Sequence, residues 1–230
     1  MPEARTFVIG DIHGAYTALM QCLASCEFNY LQDTLIVLGD VCDGWPETAQ
    51  CFDELLKINR IIYILGNHDQ WTLEWARHGT TPELWLEQGG RATVEGYSQG
   101  MPASHQKLLA SAYHYYIIDN KLFVHAGIIP DMALEYQGPD VFLWDRDLCM
   151  LALQLKLEGD ERQLSTYDEI YVGHTPTTRW GYSVPTKGCN VWMMDTGAAW
   201  NGSLSIMDIH TKQYFQSDPV WQLYPGIKGR

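Results

Sequence analysis

No apolar run in this sequence approaches the roughly 18 consecutive residues that a membrane-spanning helix requires, and no basic cluster offsets a formal net charge of −13. The first absence argues against a helical membrane protein. The second argues against a general affinity for nucleic acid, whose phosphates are gripped mainly by clustered Lys and Arg. Cysteine chemistry is equally thin: Cys22, Cys26, Cys42, Cys51, Cys149 and Cys189 show no paired C-x-x-C spacing, so neither a disulfide framework nor a structural zinc site is expected. None of the six is followed six positions later by arginine, which removes the phosphate-binding loop built on a nucleophilic cysteine. The start, Met1-Pro2-Glu3-Ala4-Arg5, leads straight into an apolar stretch and leaves no room for a signal peptide. A cytoplasmic protein with reduced thiols is the expectation.

What is present suits one folded unit. At 230 residues, with 46% hydrophobic and only 19% charged residues, the chain can bury a full core, and a single domain over 1–230 is expected. Three stretches share one design. Thr6-Phe7-Val8-Ile9 runs into Gly10-Asp11-Ile12-His13-Gly14, Leu35-Ile36-Val37-Leu38 into Gly39-Asp40-Val41-Cys42-Asp43, and Ile61-Ile62-Tyr63-Ile64-Leu65 into Gly66-Asn67-His68-Asp69. Each reads as a buried strand that ends in glycine and polar side chains, where open α/β sheets place their ligands. Helical spacing over Tyr16 to Cys26 and over Pro46 to Ile58 separates them, with Pro46 suited to a first helical turn. Parallel pairing with right-handed crossovers follows, bringing the three loops to one sheet edge.

The second half has another texture. A tryptophan-rich helical insertion is expected at about 70–112, broken at Thr80-Thr81-Pro82, Gly89-Gly90 and Gly100-Met101-Pro102. His114 to Asp119 and Lys121 to Val124 read as a hairpin about Asp119-Asn120, leading to His125-Ala126-Gly127. Glu169 to Val172 meets Gly173-His174-Thr175, and Asn190 to Met194 and Ser203 to Ile209 are further strands around Asp195-Thr196-Gly197. The order fits an α/β protein in which two mixed β-sheets pack as a sandwich with helices outside, an α/β/β/α arrangement. The tail from Thr211 to Arg230, with Trp221, Tyr224 and Pro225, is expected to dock on the surface, and no function is read from it.

The polar residues that end strands are Asp11, His13, Asp40, Asn67, His125 and His174. Carboxylate, amide and imidazole donors without thiolates suit borderline or hard divalent ions. Six ligands exceed the needs of one open catalytic ion. They suit two ions that share a bridging carboxylate at roughly 3.5 to 4 Å, the arrangement of binuclear hydrolases. The chemistry implied is hydrolysis of a phosphate ester by attack of metal-bound hydroxide.

Five ordered blocks, Gly10-Asp11-Ile12-His13-Gly14, Gly39-Asp40-Val41-Cys42-Asp43, Gly66-Asn67-His68-Asp69, His125-Ala126-Gly127 and Gly173-His174-Thr175, resemble the signature of the PPP-type, calcineurin-like metallophosphoesterases. The stretches from Trp85 to Tyr97 and Asp195-Thr196-Gly197 resemble its bacterial branch of small serine/threonine phosphatases and symmetrical diadenosine tetraphosphatases. The resemblance implies two divalent ions, Mn²⁺ first with Fe or Zn as alternatives. Asp11 and His13 would bind one, Asp40 would bridge, and Asn67, His125 and His174 would bind the other. It further implies His68 as the general acid that protonates the leaving oxygen, with Asp43 hydrogen-bonded to its imidazole, and Asn67 in contact with substrate as well as metal.

One departure stands out. Where the family pattern continues Asp-Arg-Gly, with arginine clamping the substrate phosphate, this chain has Asp43-Gly44-Trp45. Losing a guanidinium removes a charge-assisted, often bidentate contact. Arg146, in Leu143-Trp144-Asp145-Arg146, is the first candidate to replace it, ahead of Arg91 and Arg179. Trp45 either stacks on a base or aromatic leaving group or packs in the site wall. Asp195 either orients a ligand histidine or serves a turn.

Three functions are therefore carried forward. The leading one is a binuclear phosphoesterase acting on phosphate monoesters, with phosphoserine or phosphothreonine proteins and small phosphoesters as partners. The second is a symmetrical dinucleoside tetraphosphatase. The third, of another class, is a metal-binding scaffold or regulator that lost efficient turnover together with the arginine at position 44. Oligomeric state is not legible.

Overall fold

The computed structural model describes residues 4–230, so the expectation drawn from Met1-Pro2-Glu3 lies outside the described residues. The elements in chain order are β1 (Thr6–Ile9), α1 (Tyr16–Ser25), β2 (Thr34–Val37), α2 (Thr48–Leu55), β3 (Arg60–Tyr63), α3 (Asn67–His78), α4 (Glu83–Trp85), α5 (Arg91–Gly96) and α6 (Ala103–Ala110). They continue with β4 (Tyr115–Ile118), β5 (Lys121–Val124), α7 (Pro139–Trp144), α8 (Asp147–Glu158), β6 (Glu169–Val172), β7 (Thr186–Gly188), β8 (Val191–Met193), β9 (Ser205–Asp208), β10 (Tyr214–Gln216) and α9 (Val220–Leu223).

These strands form two five-stranded mixed sheets, ordered β10-β9-β1-β2-β3 and β4-β5-β6-β8-β7. In the first, β1, β2 and β3 are parallel, with Val8 opposite Ile36 and Ile36 opposite Ile62. In the second, β5, β6 and β8 are parallel. Strand periodicity divides the side chains between two faces. Phe7, Ile9, Leu35 and Val37 join a core shared with α1 and α2, whereas Val8, Ile36 and Leu38 meet Phe123, Tyr171 and Met194 of the second sheet. A third cluster packs β5, β6 and β8 against α7 and α8, through Leu122, Val172, Phe142 and Leu153. The layers are thus helix, sheet, sheet, helix. Strands covered on both faces must be apolar throughout, which is why β1 and β2 read as continuous runs.

Several boundaries differ from the sequence reading. Pro46 lies in a turn two residues before α2, not in its first helical turn. Helix α8 carries no clean periodic signal because the exposed apolar Met150, Leu151 and Leu157 interrupt the buried Leu148, Ala152 and Leu153. The tail is the larger correction. Residues after Thr211 add β10 to the first sheet and bury Val220 and Tyr224, so they are part of the core.

Candidate active site

Because β1, β2 and β3 run parallel, as do β5 and β6, their carboxyl ends meet on one edge of the sandwich. Asp11 and Asp40 follow β1 and β2, Asn67 and His68 open α3, and His125 and His174 follow β5 and β6. The loops are sharply bent: His13, Asp40, Asp43 and His174 all hold positive φ, between 49° and 72°. Such backbone is costly for residues with a Cβ and persists where the surroundings impose it, commonly at functional sites. Gly39 makes the bend after β2, with φ of 94° and a backbone so close to Gly66 that a Cβ would stand 2.6 Å from the Gly66 nitrogen. Asp69 ties the loops together, accepting from Val41 N at 3.0 Å and from Gly66 N at 3.2 Å.

Two groups of donors emerge, Asp11–His13–Asp40 and Asp40–His125–His174, each with ligand atoms within 4.8 Å of one another. Asp40 belongs to both. Its Oδ2 lies 3.6 Å from His13 Nε2 and 3.5 Å from His125 Nε2, while its Oδ1 accepts from His68 N at 3.0 Å. Asn67 joins the second group, with Oδ1 3.0 Å from His125 Nε2. His13 Nδ1 meets Cys42 O at 3.0 Å and His125 Nδ1 meets Leu38 O at 2.7 Å. A backbone carbonyl on Nδ1 fixes the tautomer and frees Nε2 for a cation. All six predicted ligands are buried.

Electrostatics and hydrogen bonding both fit divalent ions. Asp40 Oδ2 and His174 Nε2 are buried without a hydrogen-bond partner, although groups so placed are normally satisfied. Burial, then the neighbouring Asp195, pushes the Asp11 carboxyl well above its usual range. Burial also opposes ionisation of Asp40, but His125, His68 and His13 outweigh it and hold that carboxyl well below its usual value. Burial above all lowers the His13 and His174 imidazoles, the latter to about 2, keeping them in the neutral form that ligates metals.

Beside the donors stands a second buried unit. His68 Nδ1 and Asp43 Oδ2 are 2.6 Å apart, and His68 Nε2 is buried with no partner. Asp43 also accepts from Trp85 Nε1 at 2.7 Å and, through Oδ1, from Thr93 Oγ1 at 2.7 Å. Sequence reading missed Trp85, Thr93 and Asp69. Trp85 is completely buried, and nothing local showed that its indole N–H reaches Asp43.

The remaining candidates divide. Arg146, half-buried, donates Nη1 to His174 O and Thr175 Oγ1, both at 3.2 Å. Arg91 is instead engaged by Glu83 at 2.7 Å. Trp45 packs in the wall: it is 1% exposed, donates Nε1 to Ala198 O at 2.8 Å, stacks on Tyr224 with centroids 5.0 Å apart and lies close against Gly229. No ring face is left for a base, which corrects the stacking alternative. Asp195 Oδ1 accepts from Gly197 N at 2.9 Å, the turn role, and among the described residues no histidine hydrogen-bonds to it.

Comparison with known proteins agrees with this geometry. The family model described as calcineurin-like phosphoesterase matches residues 4–199. Serine/threonine-protein phosphatase 1 of Salmonella typhimurium is 29% identical, covering 88% of this chain and 91% of that protein. The symmetrical bis(5'-nucleosyl)-tetraphosphatase of Pseudomonas fluorescens is 25% identical, covering 91% of this chain and 93% of its own. Among solved structures, a protein provisionally described as a diadenosine tetraphosphatase superposes with a TM-score of 0.68 at 19% identity, over 95% of this chain and 94% of that one. At that identity the likeness concerns the fold.

Proposed function

This chain belongs to the calcineurin-like phosphoesterase family, a family of metal-dependent hydrolases of phosphoric esters, and on that premise we propose that it is a Mn²⁺-dependent phosphatase acting on phosphoserine or phosphothreonine in proteins. The observation that carries the proposal is the pair of buried donor groups sharing Asp40, with the unpartnered His68 Nε2 alongside. Two Salmonella typhimurium relatives named serine/threonine-protein phosphatases 1 and 2, at 29% and 27% identity, support the substrate class. Six free cysteines, five of them buried, support a reducing compartment such as the cytoplasm.

Asp11, His13 and Asp40 would hold one ion, and Asp40, Asn67, His125 and His174 the other. When bound, such a pair supplies a nucleophile at neutral pH and positive charge for the phosphoryl oxygens. The protein's own groups do the rest. His68, with a proton on each ring nitrogen, donates the Nε2 proton to the leaving oxygen, while Asp43 accepts from Nδ1–H, orients the ring and keeps a proton on Nδ1 as Nε2 gives up its own. Asn67 and Arg146 bind phosphoryl oxygens. Arg146 spends one nitrogen on His174 and Thr175, and a guanidinium has five N–H donors.

The test is turnover of p-nitrophenyl phosphate and a phosphoserine peptide by the Mn²⁺-loaded protein. His68→Asn is expected to lower kcat by roughly 10²- to 10⁴-fold, with metal content unchanged. Loss of metal in that variant would make His68 a ligand, and an inactive parent would support the scaffold reading instead. A dinucleoside polyphosphate remains the second substrate reading because Trp71 and Trp144 pair edge to face at 5.1 Å beside His68 and His174, and Trp144 is 39% exposed. Incubation with diadenosine tetraphosphate decides between them. Two equivalents of ADP favour the second reading, and an untouched substrate removes it.

A further inference from the structure

Gly44 occupies the position at which the sequence lacks the family's clamping arginine, and its surroundings explain the loss. Its φ is 88°, a left-handed conformation in which any side chain is strained. A Cβ built there would point at His13, whose carbonyl oxygen would lie 3.3 Å away, and at Arg230, whose Cγ would lie 3.6 Å away. The stem of Arg230 therefore stands beside the space that a residue-44 side chain would enter.

Several contacts seat Arg230 there. Its backbone N donates to Ala199 O at 2.9 Å, following the turn that carries Asp195-Thr196-Gly197. Its Nη2 donates to Gln88 Oε1 at 2.8 Å, and its guanidinium carbon lies 5.6 Å from the Trp200 ring centroid. Gln88 sits in the kink between α4 and α5, where Gly89 O accepts from Gly44 N at 3.1 Å. The head group is thus held between the helical insertion and the Trp200 turn, with its stem beside Gly44. Arg146, Arg179 and Arg230 ion-pair with no carboxylate among the described residues, in a chain of net charge −13. Cations without carboxylate partners are what a bound anion would relieve.

We propose that Arg230 is a substrate-binding residue that supplies, from the far end of the chain, the phosphate-clamping guanidinium absent at position 44. This rests on the phosphoesterase reading and extends it to a residue outside the five signature blocks. The sequence tail then contributes to the site through one side chain, with Gln88 and Trp200 orienting it.

The test is a calorimetric titration of inorganic phosphate into the Mn²⁺-loaded protein, run beside p-nitrophenyl phosphate kinetics. Arg230→Ala should weaken phosphate binding roughly 10- to 100-fold, the worth of a charge-assisted contact. KM should rise by a similar factor, with kcat less affected. Arg230→Lys should fall between, and added guanidinium ion should restore phosphate affinity to Arg230→Ala. Gln88→Ala separates binding from stapling: it should cost less than Arg230→Ala. Equal losses in the two, or parent-like phosphate affinity in Arg230→Ala, would overturn the proposal, as would a parent that binds no phosphate. An inactive parent whose phosphate affinity still depends on Arg230 would leave this inference standing and remove the phosphatase reading. Conversely, an active parent indifferent to Arg230 would remove only this inference.

Discussion

Asp43 takes three side-chain donors, His68 Nδ1–H, Trp85 Nε1–H and Thr93 Oγ1–H, all within 2.7 Å. A carboxylate so surrounded cannot rotate, and it transmits that rigidity to the imidazole whose other nitrogen faces the donor groups. The acid partner of His68 was legible, because Asp43 sits in a signature block. Its supports were not, since Trp85 and Thr93 lie 42 and 50 residues further along the chain, in a stretch whose family resemblance does not say which side chains reach Asp43. Trp85→Phe keeps most of the buried ring and deletes the indole donor. Removing one of three charge-assisted hydrogen bonds should cost about 1–2 kcal/mol in orientation, so kcat should fall roughly 10-fold, with KM near that of the parent. Steady-state kinetics on a variant with native circular dichroism checks this, and an unchanged kcat would show that Thr93 alone suffices.

Among elements, the junction between β1 and β2 offers the clearest test. Asp33 is buried just before β2 and accepts from Arg5 N at 3.0 Å, Arg5 Nη2 at 2.7 Å and Asn29 N at 2.9 Å. Burial alone would raise its carboxyl pKa, but the Arg5 side chain and the two backbone amides outweigh it and hold the group below its ordinary 3.8. A depressed folded value means that the ionised form is stabilised by folding. Its contribution is complete above the unfolded value of about 4 and is lost as pH falls through the lower folded value. Asp33→Asn should therefore lose about 1–2 kcal/mol at pH 7, and the gap in denaturant midpoint should close as pH drops below 3.8. A gap that persists unchanged to pH 2 would point to lost packing instead. Elements with both faces covered, such as β1 and β2, announced themselves as apolar runs. The short edge strands β7 and β10 did not, because three residues on a sheet edge need no continuous apolar pattern.

At the scale of the molecule, the site is a concentration of buried acid in an acidic protein. Asp11, Asp40, Asp69 and Asp195 are all buried, and Asp11, Asp69 and Asp195 each feel the Asp40 carboxylate as well as their own desolvation. Divalent ions relieve that repulsion only in the folded state, so binding adds to stability. At a hundredfold excess over Kd the gain is about 2.7 kcal/mol, which in a chain of this size corresponds to roughly 5–10 °C in Tm. Calorimetry of the Mn²⁺-loaded protein before and after chelation reads this shift, and an unchanged Tm would mean that the donor groups hold no tight ion. What the sequence determined by itself was the set of strand ends and their chemistry, because a strand buried on both faces writes itself as an apolar run and a tight turn writes itself as glycine. The tertiary structure decided what lies between those blocks and around them. It put Trp45 into the wall under Tyr224, brought Trp85 and Thr93 onto Asp43, and laid Arg230 beside Gly44. Those contacts join residues 42 to 186 positions apart, and local pattern carries no information about which distant side chains will meet until the layers close.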